Sequence, residues 1–306
     1  MCEYIIIGAS SFIGRHLYYC CREKKIESVG TYYKHNFNKE WIPFDLCTDR
    51  LKSLCDYYLK GKMPKAVIIC SANTGIDSCK SNFKESSRLN VVCTKELLKE
   101  ADALGIKSIF LSSEAVFDGK KGMYTEEDDP APITLYGQQK LEIEKYIRQN
   151  IKDYIIFRIS RATGSQFGEE DIFDDFYNKI QKQKEIVCLK DQSFCLTEVD
   201  DIAKAILGAL DIGVNGVYHL SSSNYISRYK LAKLYADKIF GGYENIVEKE
   251  YAEFSFLDNR HIYCGLNGNR LAGMLKMTFQ SIDEILDRYS RTYIHGGKKG
   301  YAHSDE

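Results

Sequence analysis

Five short stretches of the chain are apolar almost from end to end: Tyr4–Ile7, Glu27–Tyr32, Ala66–Cys70, Ser108–Ser112 and Tyr154–Ile159. A strand with one face in water alternates apolar and polar residues. A strand apolar throughout has both faces covered, as in parallel sheets flanked by helices. The segments between these runs, Gly14–Glu23, Asp49–Leu59, Asn82–Leu104 and Tyr136–Gln149, carry helical patterning. In the third of them Leu89, Val92, Cys93, Leu97 and Leu104 keep to one side, and Gly105 stands where a helix C-cap belongs. Alternation of this kind builds βαβ units, so the expected fold is α/β, a doubly wound parallel sheet of Rossmann type.

From about Arg161 the alternation fades into mixed short elements: helices over Asp171–Gln183 and Ile226–Phe240, strands over Ile186–Leu189 and Gly216–Leu220. The expected organisation is a dinucleotide-binding domain over residues 1–160 and a smaller, mainly substrate-binding lobe over 161–294, with some segments returning to the first domain. A Gly/Lys-rich flexible tail over 295–306 completes it. A net charge of −1 and a pI near 6.6 give no electrostatic bias toward nucleic acid or anionic membrane. No stretch of eighteen apolar residues and no apolar leader precede or interrupt this pattern, so a cytoplasmic location is expected. The eleven cysteines form no CxxC pair and sit in apolar surroundings, which reads as reduced, packed thiols; the six histidines have no metal-ligand spacing, and no metal is expected.

Strand Tyr4–Ile7 runs into Gly8-Ala9-Ser10-Ser11-Phe12-Ile13-Gly14 and then a helix. That context suits a dinucleotide pyrophosphate: Gly8 permits the sharp turn, Gly14 a close helix–strand approach, and Ser10, Ser11, Phe12 and Ile13 begin a helix with free N–H groups. Ser11 stands where a middle glycine is usual. After the second strand, Thr31-Tyr32-Tyr33-Lys34 lacks the acid that would bind a ribose 2′-hydroxyl; Lys34 suits a 2′-phosphate, favouring NADP with NAD as the alternative. Asp45, ending the short strand Ile42–Asp45, and Leu46 beside it are expected at the adenine.

Three Tyr-x-x-x-Lys matches occur, at Tyr58, Tyr136 and Tyr229, and roughly two are expected by chance in so tyrosine-rich a chain. Position singles out Tyr136 and Lys140. They open a helix after Asp128-Asp129-Pro130-Ala131-Pro132, downstream of a strand ending at Ser113. Spacing of i,i+4 puts phenol and ammonium on one helix face, where the cation is expected to lower the tyrosine pKa and make it an acid/base group. Ser113, at the carboxyl end of its strand, would hold the same substrate oxygen.

Together, Gly8–Gly14, Ser112-Ser113-Glu114-Ala115-Val116-Phe117-Asp118-Gly119, Tyr124-Thr125-Glu126-Glu127-Asp128 and Tyr136-Gly137-Gln138-Gln139-Lys140 resemble the extended short-chain dehydrogenase/reductases, most closely the dTDP-4-dehydrorhamnose reductase-like enzymes. The likeness continues through Phe157-Arg158-Ile159-Ser160, Asp191-Gln192, Leu196-Thr197, Asp200-Asp201-Ile202-Ala203 and Gly216-Val217-Tyr218-His219. It implies that Ser71 and Ala72 line the cofactor, that Asn90 sits behind the site, and that hydride passes from a nicotinamide to a keto sugar borne on a nucleotide. It also implies that Ser113, Glu114 and Arg161 face the substrate. That family usually has Thr-Asp-Tyr in place of Ser113-Glu114-Ala115 and a Trp in place of Arg161. Two ring surfaces for the sugar are thus absent, and a cation suited to a carboxylate or phosphate is added.

Two other readings share the platform: an NAD-dependent nucleotide-sugar epimerase or dehydratase, and a catalytically silent NADP-binding regulatory subunit. A homodimer is a possible assembly. The acidic run Glu169, Glu170, Asp171, Asp174 and Asp175 reads as a solvated helix start rather than a Mg²⁺ site.

Overall fold

A computed structural model describes residues 2–166, 168–169 and 171–296. In chain order its first half comprises β1 (Tyr4–Ile7), α1 (Phe12–Glu23), β2 (Ser28–Tyr32), β3 (Ile42–Pro43), α2 (Leu51–Tyr58), β4 (Ala66–Ile69), α3 (Ile76–Ser81), α4 (Phe83–Ser87), a π-helical stretch Arg88–Cys93, α5 (Thr94–Ala103), β5 (Lys107–Ser113), α6 (Leu135–Asn150) and β6 (Tyr154–Ile159). The second half adds β7 (Arg161–Thr163), α7 (Ile172–Gln181), β8 (Ile186–Leu189), β9 (Ser193–Glu198), α8 (Val199–Asp211), β10 (Gly216–Leu220), β11 (Tyr225–Ser227), α9 (Arg228–Phe240), β12 (Ile246–Lys249), α10 (Asn269–Leu275) and α11 (Ile282–Gly296).

The main sheet has seven strands in the order β10-β6-β5-β4-β1-β2-β3, and every pairing in it is parallel. The doubly wound sheet read from the apolar runs is therefore present. One helical layer buries α1 and α8 against the face carrying Tyr4, Ile6, Ile68, Ile109 and Phe157. Ile5, Ile7, Val67, Phe110 and Ile156 on the opposite face pack under α2, α5 and α6. Strand order reverses between β1 and β4, and ligands of such sheets bind in the crevice at the carboxyl ends of the strands flanking that reversal. The residues emerging there are Gly8 and Ser71.

Residues beyond β6 build a smaller body of two sheets, β11-β9-β7 and β12-β8, around an aromatic core of Phe173, Phe176, Phe194, Tyr235 and Tyr289. Sequence patterning misses β7, β9, β11, β12, α8, α10 and α11. Of the tail expected over 295–306, His295 and Gly296 lie at the end of α11 and 297–306 fall outside the described residues.

The expectation that every cysteine is reduced is corrected at one pair. Cys47 follows Asp45 and Leu46, Cys93 ends the π-helical stretch, and the two are joined as a disulfide with Cα atoms 4.9 Å apart. They are 46 residues apart in sequence, so no local spacing announced the pair. The other nine cysteines are free thiols.

Candidate active site

The turn from Gly8 to Gly14 is tightly built. Gly8 adopts φ +81°, and a Cβ there would lie 2.9 Å from the Ser71 nitrogen. A Cβ on Gly14 would run into the Gly8 carbonyl oxygen. Both glycines are thus required by close backbone approach. Ser11, in the place of a glycine, is the N-cap of α1: its hydroxyl accepts from Gly14 N at 3.2 Å. Thr31 of β2 fastens the turn by accepting from Gly8 N at 3.0 Å. Ser10 and Phe12 line a cleft of about 1270 Å³ that also touches Arg15, Thr74, Arg161 and Arg228. Unused N–H groups at a helix start, with backbone on both sides and an open cleft in front, fit a pyrophosphate.

The remaining residues expected at the cofactor distribute along the same sheet edge. Lys34 is exposed just beyond β2, its ammonium 5.5 Å from the Tyr33 ring. Asp45 accepts from Cys47 N at 2.9 Å and Leu46 is buried. Ser71 and Ala72 follow β4, half-buried. Ile13 packs half-buried against the core.

Asn90 is buried in the π-helical stretch and joins two parts of the site. Its Oδ1 accepts from Asn73 N at 2.8 Å, while its Nδ2 donates to Asn73 O at 2.8 Å and to Gln139 Oε1 at 2.7 Å. The loop after Ser71 and Ala72 is thereby tied to α6 between Tyr136 and Lys140.

Tyr136 stands in the first turn of α6, buried, its phenol close enough to Ser113 at the end of β5 for that hydroxyl to influence its titration. Lys140, one turn on, is buried too; its Nζ donates to Leu111 O at 2.8 Å and lies 5.7 Å from the Tyr136 ring. Burial lowers the Lys140 pKa from its ordinary value to about 8. The lowering expected for Tyr136 is corrected: burial pushes the phenol up, the Ser113 hydroxyl only partly offsets it, and the group holds its proton. Of the three Tyr-x-x-x-Lys matches, Tyr136 and Lys140 are buried together beside the end of β5. Tyr58 is exposed at the end of α2, and Tyr229 lies in the first turn of α9.

Glu114 and Arg161 flank this group. Glu114 follows Ser113 in a 3-10 turn, and its Oε2 is buried with no hydrogen-bond partner. Arg161 opens β7, lies exposed on the cleft wall and stacks 5.4 Å from the Phe194 ring.

Sequence reasoning missed four contributors. Arg228, at the start of α9, reaches the cleft beside Arg161 and donates to Asp175 Oδ2 at 2.9 Å. His16 on α1 bridges Glu169 (2.7 Å) and Asp200 (2.6 Å) on the cleft's far side. Asp258 caps the helix that carries Tyr136, its Oδ2 accepting from Leu135 N at 2.7 Å. Arg260 then reaches Asp77 of α3 at 2.6 Å. None of the four lies in a local motif; distant segments meet only in the fold.

Asp171 is the N-cap of α7, accepting from Phe173 N at 2.8 Å, while Asp175 pairs with Arg228 and Lys179. The acidic run is thus occupied by helix capping and ion pairs, with Glu170 outside the described residues.

A parallel sheet with strand order reversed at a glycine turn, and a serine, tyrosine and lysine converging at the end of β5, define the extended short-chain dehydrogenase/reductase class. Residues 2–288 match the family described as RmlD substrate binding domain, and the chain belongs to that family. Among its relatives, the methionine adenosyltransferase 2 subunit beta of Rattus norvegicus is 29% identical over 240 residues, covering 76% of this chain and 71% of its own. The probable low-salt glycan biosynthesis reductase Agl14 of Haloferax volcanii is 28% identical over 250 residues, with 79% and 82% covered. A dTDP-4-dehydrorhamnose reductase from Bacillus anthracis, solved in complex with NADP, superposes with a TM-score of 0.77 at 24% identity, covering 96% of this chain and 100% of its own; at that identity the likeness is one of fold.

Proposed function

We propose that this chain is an NAD(P)H-dependent reductase of a keto sugar carried on a nucleoside diphosphate, of the dTDP-4-dehydrorhamnose reductase-like kind. The observation that carries the reading is the convergence of Ser113, Tyr136 and Lys140 at the carboxyl end of β5, beside the Gly8–Gly14 turn. The turn and α1 N-terminus hold the pyrophosphate, Asp45 and Leu46 the adenine, and exposed Lys34 the 2′-phosphate, so NADP is favoured over NAD. A reduced nicotinamide bound there supplies the hydride.

The residues of the chain do the rest. The Ser113 hydroxyl and the Tyr136 phenol both donate to the carbonyl oxygen and polarise it. As negative charge grows on that oxygen, Tyr136 gives up its proton to it. Lys140 holds the cofactor ribose and its positive charge stabilises the phenolate left behind. Arg161 and Arg228, together on the cleft wall, are placed for anionic groups of the substrate.

The test is turnover of NADPH by the purified protein against 4-keto sugars linked to dTDP, UDP, GDP and CDP. Oxidation of NADPH that depends on one of them supports the reading; none with any overturns it. Similarity to the methionine adenosyltransferase subunit favours a second, regulatory reading, which requires NADP binding without turnover. An epimerase would instead retain NAD through purification.

A further inference from the structure

Two side chains beside Ser113 lack a hydrogen-bond or ion-pair partner among the described residues. Glu114 has one carboxyl oxygen buried with no hydrogen bond to it. Arg161 has no carboxylate among the described residues within 4.0 Å; its only ring contact is with Phe194, and it faces the cleft. Each feels the other electrostatically, yet they do not pair.

The groups facing Glu114 come from four parts of the fold: Tyr136 of α6, Arg161 of β7, Cys195 of β9 and Cys264 of the loop after β12. Arg161 alone among them is a permanent charge. It only partly offsets burial, which pushes the Glu114 pKa up to about 8. Near neutral pH the carboxyl therefore keeps its proton, and it is then a donor in need of an acceptor. A buried donor left without an acceptor is unfavourable. A sugar hydroxyl would satisfy Glu114 and leave Arg161 unmatched. A phosphate on Arg161 would leave Glu114 unmatched. A single carboxylate answers both, accepting two N–H bonds from the guanidinium and the O–H of Glu114.

We infer that the sugar this chain acts on bears a carboxylate, held between Arg161 and the Glu114 carboxyl group. This rests on the nucleotide-sugar reading above and narrows its substrate to a nucleotide-linked sugar acid.

The experiment is calorimetric titration of the NADP⁺-loaded protein with UDP-glucose and UDP-glucuronic acid, which differ only in a hydroxymethyl and a carboxylate, repeated with the dTDP-linked pair. The acid is expected to bind about tenfold tighter or more, the difference made by one charge-assisted contact. Arg161→Gln should abolish that preference, and Arg161→Lys should restore part of it. Raising the pH through about 8 ionises Glu114 and sets two carboxylates against each other, so the preference should shrink. In Glu114→Gln, which keeps a donor but cannot titrate, it should not change with pH.

Equal weakening of both sugars by Arg161→Gln would assign that residue to the diphosphate and overturn the inference. So would equal affinities in the wild-type protein. If neither sugar binds with either nucleotide, the nucleotide-sugar reading itself fails and takes the inference with it.

Discussion

Tyr136 enters the proposed reaction from its protonated side. Burial holds the proton on the phenol, which suits a group that must donate to a carbonyl oxygen as it becomes an alcohol. Tyr136→Phe removes only that proton and its hydroxyl. It should lower turnover by about a hundredfold or more while NADPH affinity, measured by fluorescence titration, stays nearly unchanged; undiminished turnover would take Tyr136 out of the mechanism. At the other end of the cofactor, Lys34→Ala should weaken NADPH more than NADH. Equal losses would leave Lys34 no part in recognising the 2′-phosphate. Ser113, Tyr136 and Lys140 were legible in the sequence because residue type, i,i+4 spacing and the preceding strand agree. Arg228, His16 and Asp258 were not, because each acquires its place through contacts across 53 to 184 residues.

Helix α6 is held on three sides. A buried ion pair joins its Glu144 to Arg158 of β6 at 2.7 Å, and Ser112 Oγ donates to the same carboxylate at 2.5 Å. Removing one partner leaves the other charged in a dry interior, so Arg158→Leu should cost about 3–5 kcal/mol. Denaturant unfolding should show this, and show Glu144→Leu/Arg158→Leu costing less than either single change. The helix start depends on Asp258: Asp258→Ala frees Leu135 N and lets the Tyr136 turn shift. The expected signature is a fall in kcat with NADPH affinity kept, and recovery in Asp258→Asn; a change in NADPH affinity alone would place Asp258 outside the positioning of Tyr136. Apolar periodicity predicts one helix over Asn82–Leu104, and the structure keeps the backbone helical there while widening its turns over Arg88–Cys93. The chain enters α4 at Asn82 and passes through a π-helical stretch, where Asn90 turns its side chain to Asn73 and Gln139. Periodicity records which face is buried, not where a polar side chain bends the ladder.

Across the whole molecule, His16 links α1 to the second half of the chain through Glu169 and Asp200. Burial opposes its charge, but the hydrogen bonds it donates to Asp200 and Glu169 outweigh that and raise its pKa from 6.5 to about 9. A raised histidine stabilises the fold fully below about pH 6.5, and the contribution is lost as pH rises through about 9. The Tm gap between the wild type and His16→Asn should therefore be widest near pH 6 and close toward pH 10. A gap independent of pH would mean that His16 is not the charged link. The first half of the molecule was legible because strands covered on both faces advertise themselves. Much of the second half, short strands and helices around an aromatic core, has no comparable period.

The main sheet also ends in a borrowed strand. β10, residues 216–220, pairs with Ile155–Ile159 of β6, although the 56 residues from Ser160 to Asn215 lie between the two strands. A gene fragment stopping after residue 160 would leave β6 with a bare apolar edge open to other chains, and should aggregate rather than yield a small stand-alone nucleotide binder. For the same reason the second half is not a cassette that recombination can exchange for another lobe. Its replacement has to bring a strand that fits β6.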